Sequence, residues 1–191
     1  MNICVFCASS NPKNEMIVRQ ARRFAELLAD NKHTLVYGGA GVGLMGLIAD
    51  TILEKNGRII GIMPEALTKR EIAYKQLTER YIVGSMAERK EMMIAKSEAF
   101  VILPGGLGTL DELFEAACLA SLGLCRKPIA VLNSCGYYDS LRSFLDNAVQ
   151  EGLIEPSAAE LLNFVSFPEE IFTALAAYKP LPAPAWVKLQ N

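Results

Sequence analysis

The chain has 191 residues, enough for one domain with a substantial core and too few for two. Hydrophobic residues make up 51 % and charged ones 21 %, a globular composition that argues against disorder. A formal charge of −2 gives no general attraction to nucleic acid or anionic membrane. No apolar run reaches the length of a membrane span, and "MNICVFCASS" lacks the basic region and cleavage site of a signal peptide. A cytoplasmic location with no nucleic-acid or membrane partner is expected.

In chain order, "NICVFCASS" reads as a buried strand ending in two hydroxyls, Ser9 and Ser10. "NEMIVRQARRFAELLAD" follows, with Ile17, Ala21, Phe24, Ala25 and Leu28 at helical spacing. "HTLVYGG" is a second strand, and "VGLMGLIADTILEKNG" a second helix with Gly57 as its C-cap signal. "RIIGIMP" is a third strand, and the charged, weakly patterned stretch from Glu65 to Val83 reads as loop. "SMAERKEMMIAKSE" is helical, "AFVILPGG" a strand, and "TLDELFEAACLASLGL" a helix. "KPIAVLN" is a further strand and "YYDSLRSFLDNAVQEG" a helix. "AAELLNFVSF" gives a short strand or turn before the last helix in "PEEIFTALAAYKP".

Short apolar strands alternating with amphipathic helices make βαβ units. The expected fold is therefore α/β, a Rossmann-like, doubly wound parallel sheet in a single domain over residues 1–179. The alternating Pro180, Pro182 and Pro184 make residues 180–191 an extended tail. Ligands of such sheets bind beyond the carboxyl ends of the strands. Four groups fall there: Ser9-Ser10, "GGAGVGLMG", the Met63–Glu65 turn and "PGGLGT".

The five cysteines are an odd number in apolar surroundings, which suits reduced thiols, and Cys4 and Cys7 of "CVFC" read as core. With His33, expected to be solvated, as the only histidine, no metal site is expected.

"GGAGVGLMG" contains Gly41-x-Gly43-x-x-Gly46 between a strand and a helix, a literal match to the dinucleotide fingerprint, so an NAD(P)-binding oxidoreductase is a rival reading. Against it, the match follows the second strand, and the first ends in "CASS" without a glycine. "PGGLGTLDE" has two readings. Thr109-x-x-Glu112 is a capping box, with Ser9 and Ser10 as further candidate caps. Alternatively, its glycines bring backbone N–H groups to a phosphate at a helix N-terminus. Two glycine-rich strand ends facing one cleft suit a mononucleotide. Neither is the G-x-x-x-x-G-K-[ST] loop of triphosphate hydrolases.

"GGAGVGLMG", "MAERK" and "PGGLGTLDE" together resemble the Lonely Guy family of cytokinin-activating phosphoribohydrolases, often labelled "possible lysine decarboxylase". The likeness runs from "CASS" nearly to the last helix. It implies a homodimer that hydrolyses the N-glycosidic bond of a purine nucleoside 5′-monophosphate, AMP or a cytokinin type, to free base and ribose 5-phosphate. Arg89 and Glu112 match the family's catalytic arginine and glutamate. Glu71, Lys90, Gly106, Leu107, Gly108, Thr109, Leu110 and Asp111 fall at or beside nucleotide-contacting positions; Ser9, Gly39 and Met45 are further candidates at the strand ends. The chain departs from the family at Ser85 (aspartate), Ala87 (histidine) and Cys118-Leu119 (Thr-Trp). These changes keep alive a non-catalytic nucleotide binder of the same fold.

The chemistry stands on its own. Cleaving a ribosyl–purine bond builds an oxocarbenium-like sugar, which a carboxylate such as Glu112 stabilises while orienting water. Guanidinium does not deprotonate in proteins, so Arg89 is expected to hold Glu112 or the sugar hydroxyls. Glu71 or water is left to protonate the leaving base. No cofactor is expected, since lysine decarboxylation needs pyridoxal phosphate on a lysine and none here lies in such a context.

Overall fold

Seven short strands, three of them buried along their whole length, lie side by side in the computed structural model, which describes residues 1–68, 74 and 76–181. They are β1 (Asn2–Phe6), β2 (Thr34–Tyr37), β3 (Arg58–Pro64), β4 (Glu79–Val83), β5 (Ala99–Ile102), β6 (Ile129–Leu132) and β7 (Leu162–Val165). Their order is β4-β3-β2-β1-β5-β6-β7, and every pairing is parallel. Parallel strands need crossovers that cover both faces, which is why β1, β2, β5 and β6 are apolar without alternation. The helices are α1 (Glu15–Asp30), α2 (Gly43–Glu54), α3 (Glu65–Thr68), α4 (Met86–Ala95), α5 (Leu107–Ser121), α6 (Asp139–Gln150), α7 (Pro156–Ala159) and α8 (Ile171–Ala176).

One face of the sheet packs on α1, α2 and α8, the other on α4, α5 and α6, giving two hydrophobic clusters. In α1, Ile17, Ala21, Phe24, Ala25 and Leu28 are the buried residues, and burial of each larger side chain contributes about 1.5–3 kcal/mol. Cys4 and Cys7 are buried as expected; Cys118 and Cys135 are exposed. No helix among the described residues is long and apolar enough to cross a membrane.

Three local expectations need correction. Within the Glu65–Val83 stretch read as loop, residues 65–68 form the single turn α3 and residues 79–83 form β4. As an edge strand it is half-exposed and charged, so it lacks the apolar run that marks the inner strands. The left-handed residue after α2 is Asn56, at φ 57°, while Gly57 donates its N–H to the Ile52 carbonyl at 2.8 Å. His33 is half-buried, its ring 5.2 Å from that of Phe172, and burial lowers its pKa. Glu71 and residues 182–191 lie outside the described residues.

The strand order sets the place of the site. Successive strands run from β1 outwards to β4 on one side, and from β5 outwards to β7 on the other. The reversal lies between β1 and β5, so the loops that leave them, "CASS" and "PGGLGT", flank one crevice.

Candidate active site

Local packing shapes the crevice. Glycine is required at Gly105 because a Cβ there would lie 2.0 Å from the Thr109 hydroxyl oxygen, so the turn folds tightly over its own helix start. Around Gly106 and Gly108 the space is open, with nothing within 4 Å of a Cβ at either. Helix α5 starts at Leu107 with Gly106 as N-cap, one turn earlier than a capping box would place it. Thr109 and Glu112 therefore lie inside the helix and no capping box forms. Starting at Leu107 turns the first N–H groups of α5, and the positive end of its dipole, toward the crevice.

The "GGAGVGLMG" loop is closed in a different way. Gly43, at φ 60°, backs onto the Ser9–Ser10 backbone, where a Cβ would lie 2.3 Å from the Ser9 carbonyl carbon. A Cβ on Gly46 would lie 2.7 Å from the Gly41 backbone, and the Met45 N–H donates to the Ala8 carbonyl at 3.3 Å. These glycines pack chain against chain rather than cradling a pyrophosphate, which removes the support for the dinucleotide reading. Ser9 and Ser10 do not cap α1; Asn14 does, its side chain accepting from the Met16 N–H at 2.9 Å.

At the centre lies a cavity of about 290 Å³ with Arg89 of α4 and Glu112 of α5 in its wall. Arg89 Nη1 donates to Glu112 Oε1 at 3.0 Å, and Nε donates to the Ile62 carbonyl at the end of β3 at 3.2 Å. Both side chains are buried, about 10 % and 9 % exposed. A Cβ on Gly38 would sit 2.1 Å from Arg89 Nη2 and 3.1 Å from the Met45 sulfur. Gly38 thus makes the slot in which the guanidinium lies. Burial pushes the Glu112 carboxyl up to about 7, with Arg89 opposing and the Asp111 carboxylate adding to the rise. A carboxyl poised there exists in both protonation states near neutrality, as a general base requires. Burial and the charge of Glu112 hold Cys7, also in the wall, as a neutral thiol.

The cavity brings together Ser9, Met45, Arg89, Gly106, Leu107, Gly108, Thr109 and Glu112 of the residues singled out in the sequence. Four others lie outside its walls. Lys90 pairs with Asp111 at 3.1 Å and Glu115 at 2.5 Å, a cluster that ties α4 to α5. Leu110 packs into the hydrophobic layer beneath α5. Gly39, at φ 78°, faces Met63, with Gly38 on the cavity side instead. Residues in a strand end point alternately to opposite faces, so a shift of one residue along "YGGAG" exchanges the two.

Sequence reasoning also missed Leu67, Met86 and Met93, which give the cavity an apolar side. Met86 and Met93 read in the sequence as the core side of their helix, and Leu67 falls in the stretch read as loop, so nothing marks them as site residues. Of the departures from the family pattern, Ser85 caps α4 by accepting from the Glu88 N–H at 3.1 Å, a task an aspartate also performs. Ala87 and Cys118 are exposed and outside the cavity wall.

Fold and site together define a Rossmann-like protein whose cavity sets a buried carboxylate–guanidinium pair beside a glycine-rich helix N-terminus. Residues 45–175 match the family model described as "Possible lysine decarboxylase", and the chain belongs to that family, the Lonely Guy family. It is 42 % identical over 181 residues to the cytokinin riboside 5′-monophosphate phosphoribohydrolase LOG5 of Arabidopsis thaliana, covering 94 % of this chain and 78 % of that protein. Identity is also 42 % to the probable cytokinin riboside 5′-monophosphate phosphoribohydrolase LOGL6 of Oryza sativa subsp. japonica, covering 93 % of this chain and 71 % of that one. Among solved structures, the molybdenum cofactor binding protein of Rippkaea orientalis superposes with a TM-score of 0.66, covering 92 % of this chain and 94 % of that one. At 18 % identity that likeness speaks for the fold alone.

Proposed function

We propose that the protein hydrolyses the N-glycosidic bond of a purine nucleoside 5′-monophosphate, of the cytokinin type or AMP, releasing free base and ribose 5-phosphate. The observation that carries this reading is the buried Arg89–Glu112 pair at 3.0 Å in the wall of a cavity that the N-terminus of α5 also enters. The names of the relatives support the same substrate class.

In this mechanism the 5′-phosphate sits on the N–H groups at Gly106, Gly108 and Thr109, where two glycines leave room and the helix dipole favours an anion. The ribose then lies beside Glu112. As the C1′–N bond breaks, its electron pair leaves with the base and positive charge builds on the sugar. The Glu112 carboxylate stabilises that charge and accepts a proton from the water whose oxygen bonds to C1′. Arg89 fixes the carboxylate and favours its ionised form. The base takes its proton from water or from Glu71. Leu67, Met86 and Met45 offer an apolar side for the base. A homodimer in the cytoplasm completes the reading.

The test is chromatographic detection of free base from AMP and from isopentenyladenosine monophosphate, with the phosphate-free nucleosides as controls. Release from the monophosphates alone, abolished in Glu112→Gln and strongly reduced in Arg89→Ala, is the expected result. Binding of AMP without any release would make the protein a nucleotide binder.

A further inference from the structure

A second cavity, larger at about 460 Å³, lies on the other side of the Gly105–Gly106 turn, and neither Arg89 nor Glu112 lines it. Its wall shares only Ala8, Ser10 and Gly106 with the first. Three observations describe what would fit there. Ser134 belongs to its wall and is fully buried, and its hydroxyl has no hydrogen-bond partner among the described residues. A buried hydroxyl without a partner costs about 1–3 kcal/mol, so such groups are rare unless something completes them. Lys13 lines the same cavity and makes no ion pair among the described residues. Asn14 lines it too; its carbonyl oxygen caps α1, which leaves its amide N–H groups as donors. The lining contains no carboxylate.

A free ammonium, an amide and two hydroxyls, Ser10 and Ser134, set in an otherwise largely apolar wall, are the kind of groups that recognise a tetrahedral polyanion. Position adds to chemistry. Gly106 belongs to both cavities, and the space a Cβ would fill on it is empty. The Tyr137 hydroxyl, also in the second wall, donates to the Gly105 carbonyl at 2.7 Å and fixes the partition.

We propose that this second cavity is a phosphoryl-binding site, with Lys13, Asn14 and Ser134 as its recognition groups. The phosphoryl group has two possible sources: a separate phosphate ester, or the β-phosphoryl of a nucleoside 5′-diphosphate whose α-phosphoryl occupies the N-terminus of α5. The second source rests on the nucleotide reading of the first cavity; the first does not.

Calorimetric titration of the full chain with inorganic phosphate, AMP and ADP tests the proposal, using Glu112→Gln as background so that no substrate is consumed. Lys13→Ala and Ser134→Ala lie away from the Arg89–Glu112 pair, and Ser134→Ala removes a hydroxyl that no protein group uses. If a separate ester is the source, phosphate binds the AMP-saturated protein, and both substitutions weaken that binding at least five-fold while AMP affinity stays within two-fold. If the diphosphate is the source, ADP binds at least ten-fold more tightly than AMP, and the two substitutions remove the advantage. Should AMP fail to bind at all, the nucleotide reading falls, and phosphate titration of the free protein against Lys13→Ala and Ser134→Ala still reads the second cavity. Phosphate affinity and the ADP-to-AMP ratio both unchanged by the two substitutions would overturn the proposal.

Discussion

Replacing Glu112 by glutamine removes a titrating group while keeping its shape and its ability to accept from Arg89. Glu112 binds its proton more tightly in the folded chain, its pKa rising from 4.5 to about 7 through burial. Stability therefore falls as pH climbs from 4.5 to about 7 and is level above that, since deprotonation is easier in the unfolded chain. At roughly 1.4 kcal/mol per pH unit, the ionised carboxylate costs about 3 kcal/mol of folding stability in full. Glutamine resembles the protonated acid at every pH and escapes this loss. Urea unfolding of both proteins at pH 5 and pH 8.5 is the assay; groups that titrate elsewhere cancel in the comparison. Relative to wild type, the variant is expected to gain about 2–3 kcal/mol on going to the higher pH, while releasing no base. A gap between the two proteins that stays the same at both pH values, within about 0.5 kcal/mol, refutes the claim that the buried charge of Glu112 destabilises the fold.

Three further outcomes are expected. Base release by the wild type should rise with pH through about 7, as Glu112 ionises, and Arg89→Ala should move this limb to higher pH because the guanidinium lowers the carboxyl's pKa; a limb that does not move counts against Arg89 acting on Glu112. Gly38→Ala puts a Cβ 2.1 Å from Arg89 Nη2. Displacing the guanidinium by an ångström should reduce kcat on the order of 100-fold for a stability loss of about 1–3 kcal/mol, and unchanged kinetics would show that the slot is not needed. Gly43→Ala combines φ 60° with a Cβ 2.3 Å from the Ser9 backbone, so unfolding should show a loss of about 2–5 kcal/mol; an unaltered Tm would mean that the two loops part easily.

The fold was legible because its cause is local and repetitive. Uninterrupted apolar strands between amphipathic helices have one economical arrangement, a parallel sheet covered on both faces, and right-handed crossovers fix the topology. The edge strand β4 escaped because its exposed, charged pattern is that of a loop, and only pairing with β3 makes it a strand.

Order along the chain singled out Arg89, Glu112 and the "PGGLGT" turn only through the three motifs taken together and their resemblance to the Lonely Guy family. Alone, Arg89 reads as part of a solvated helix face and Glu112 as half of a capping box. Tertiary structure decided which of them meet. Arg89 and Glu112 are 23 residues apart and touch because α4 and α5 flank the same layer of the sheet. Lys90 and Asp111, each one residue from that pair, turn away, because a step of one along a helix rotates a side chain by about 100°. Which glycines are open to a ligand and which are filled by neighbouring backbone could not be read from the letters. Gly43 and Gly106 look alike in sequence; Gly43 lies 2.3 Å, measured from its Cβ position, from the chain after β1, and Gly106 has free space above it.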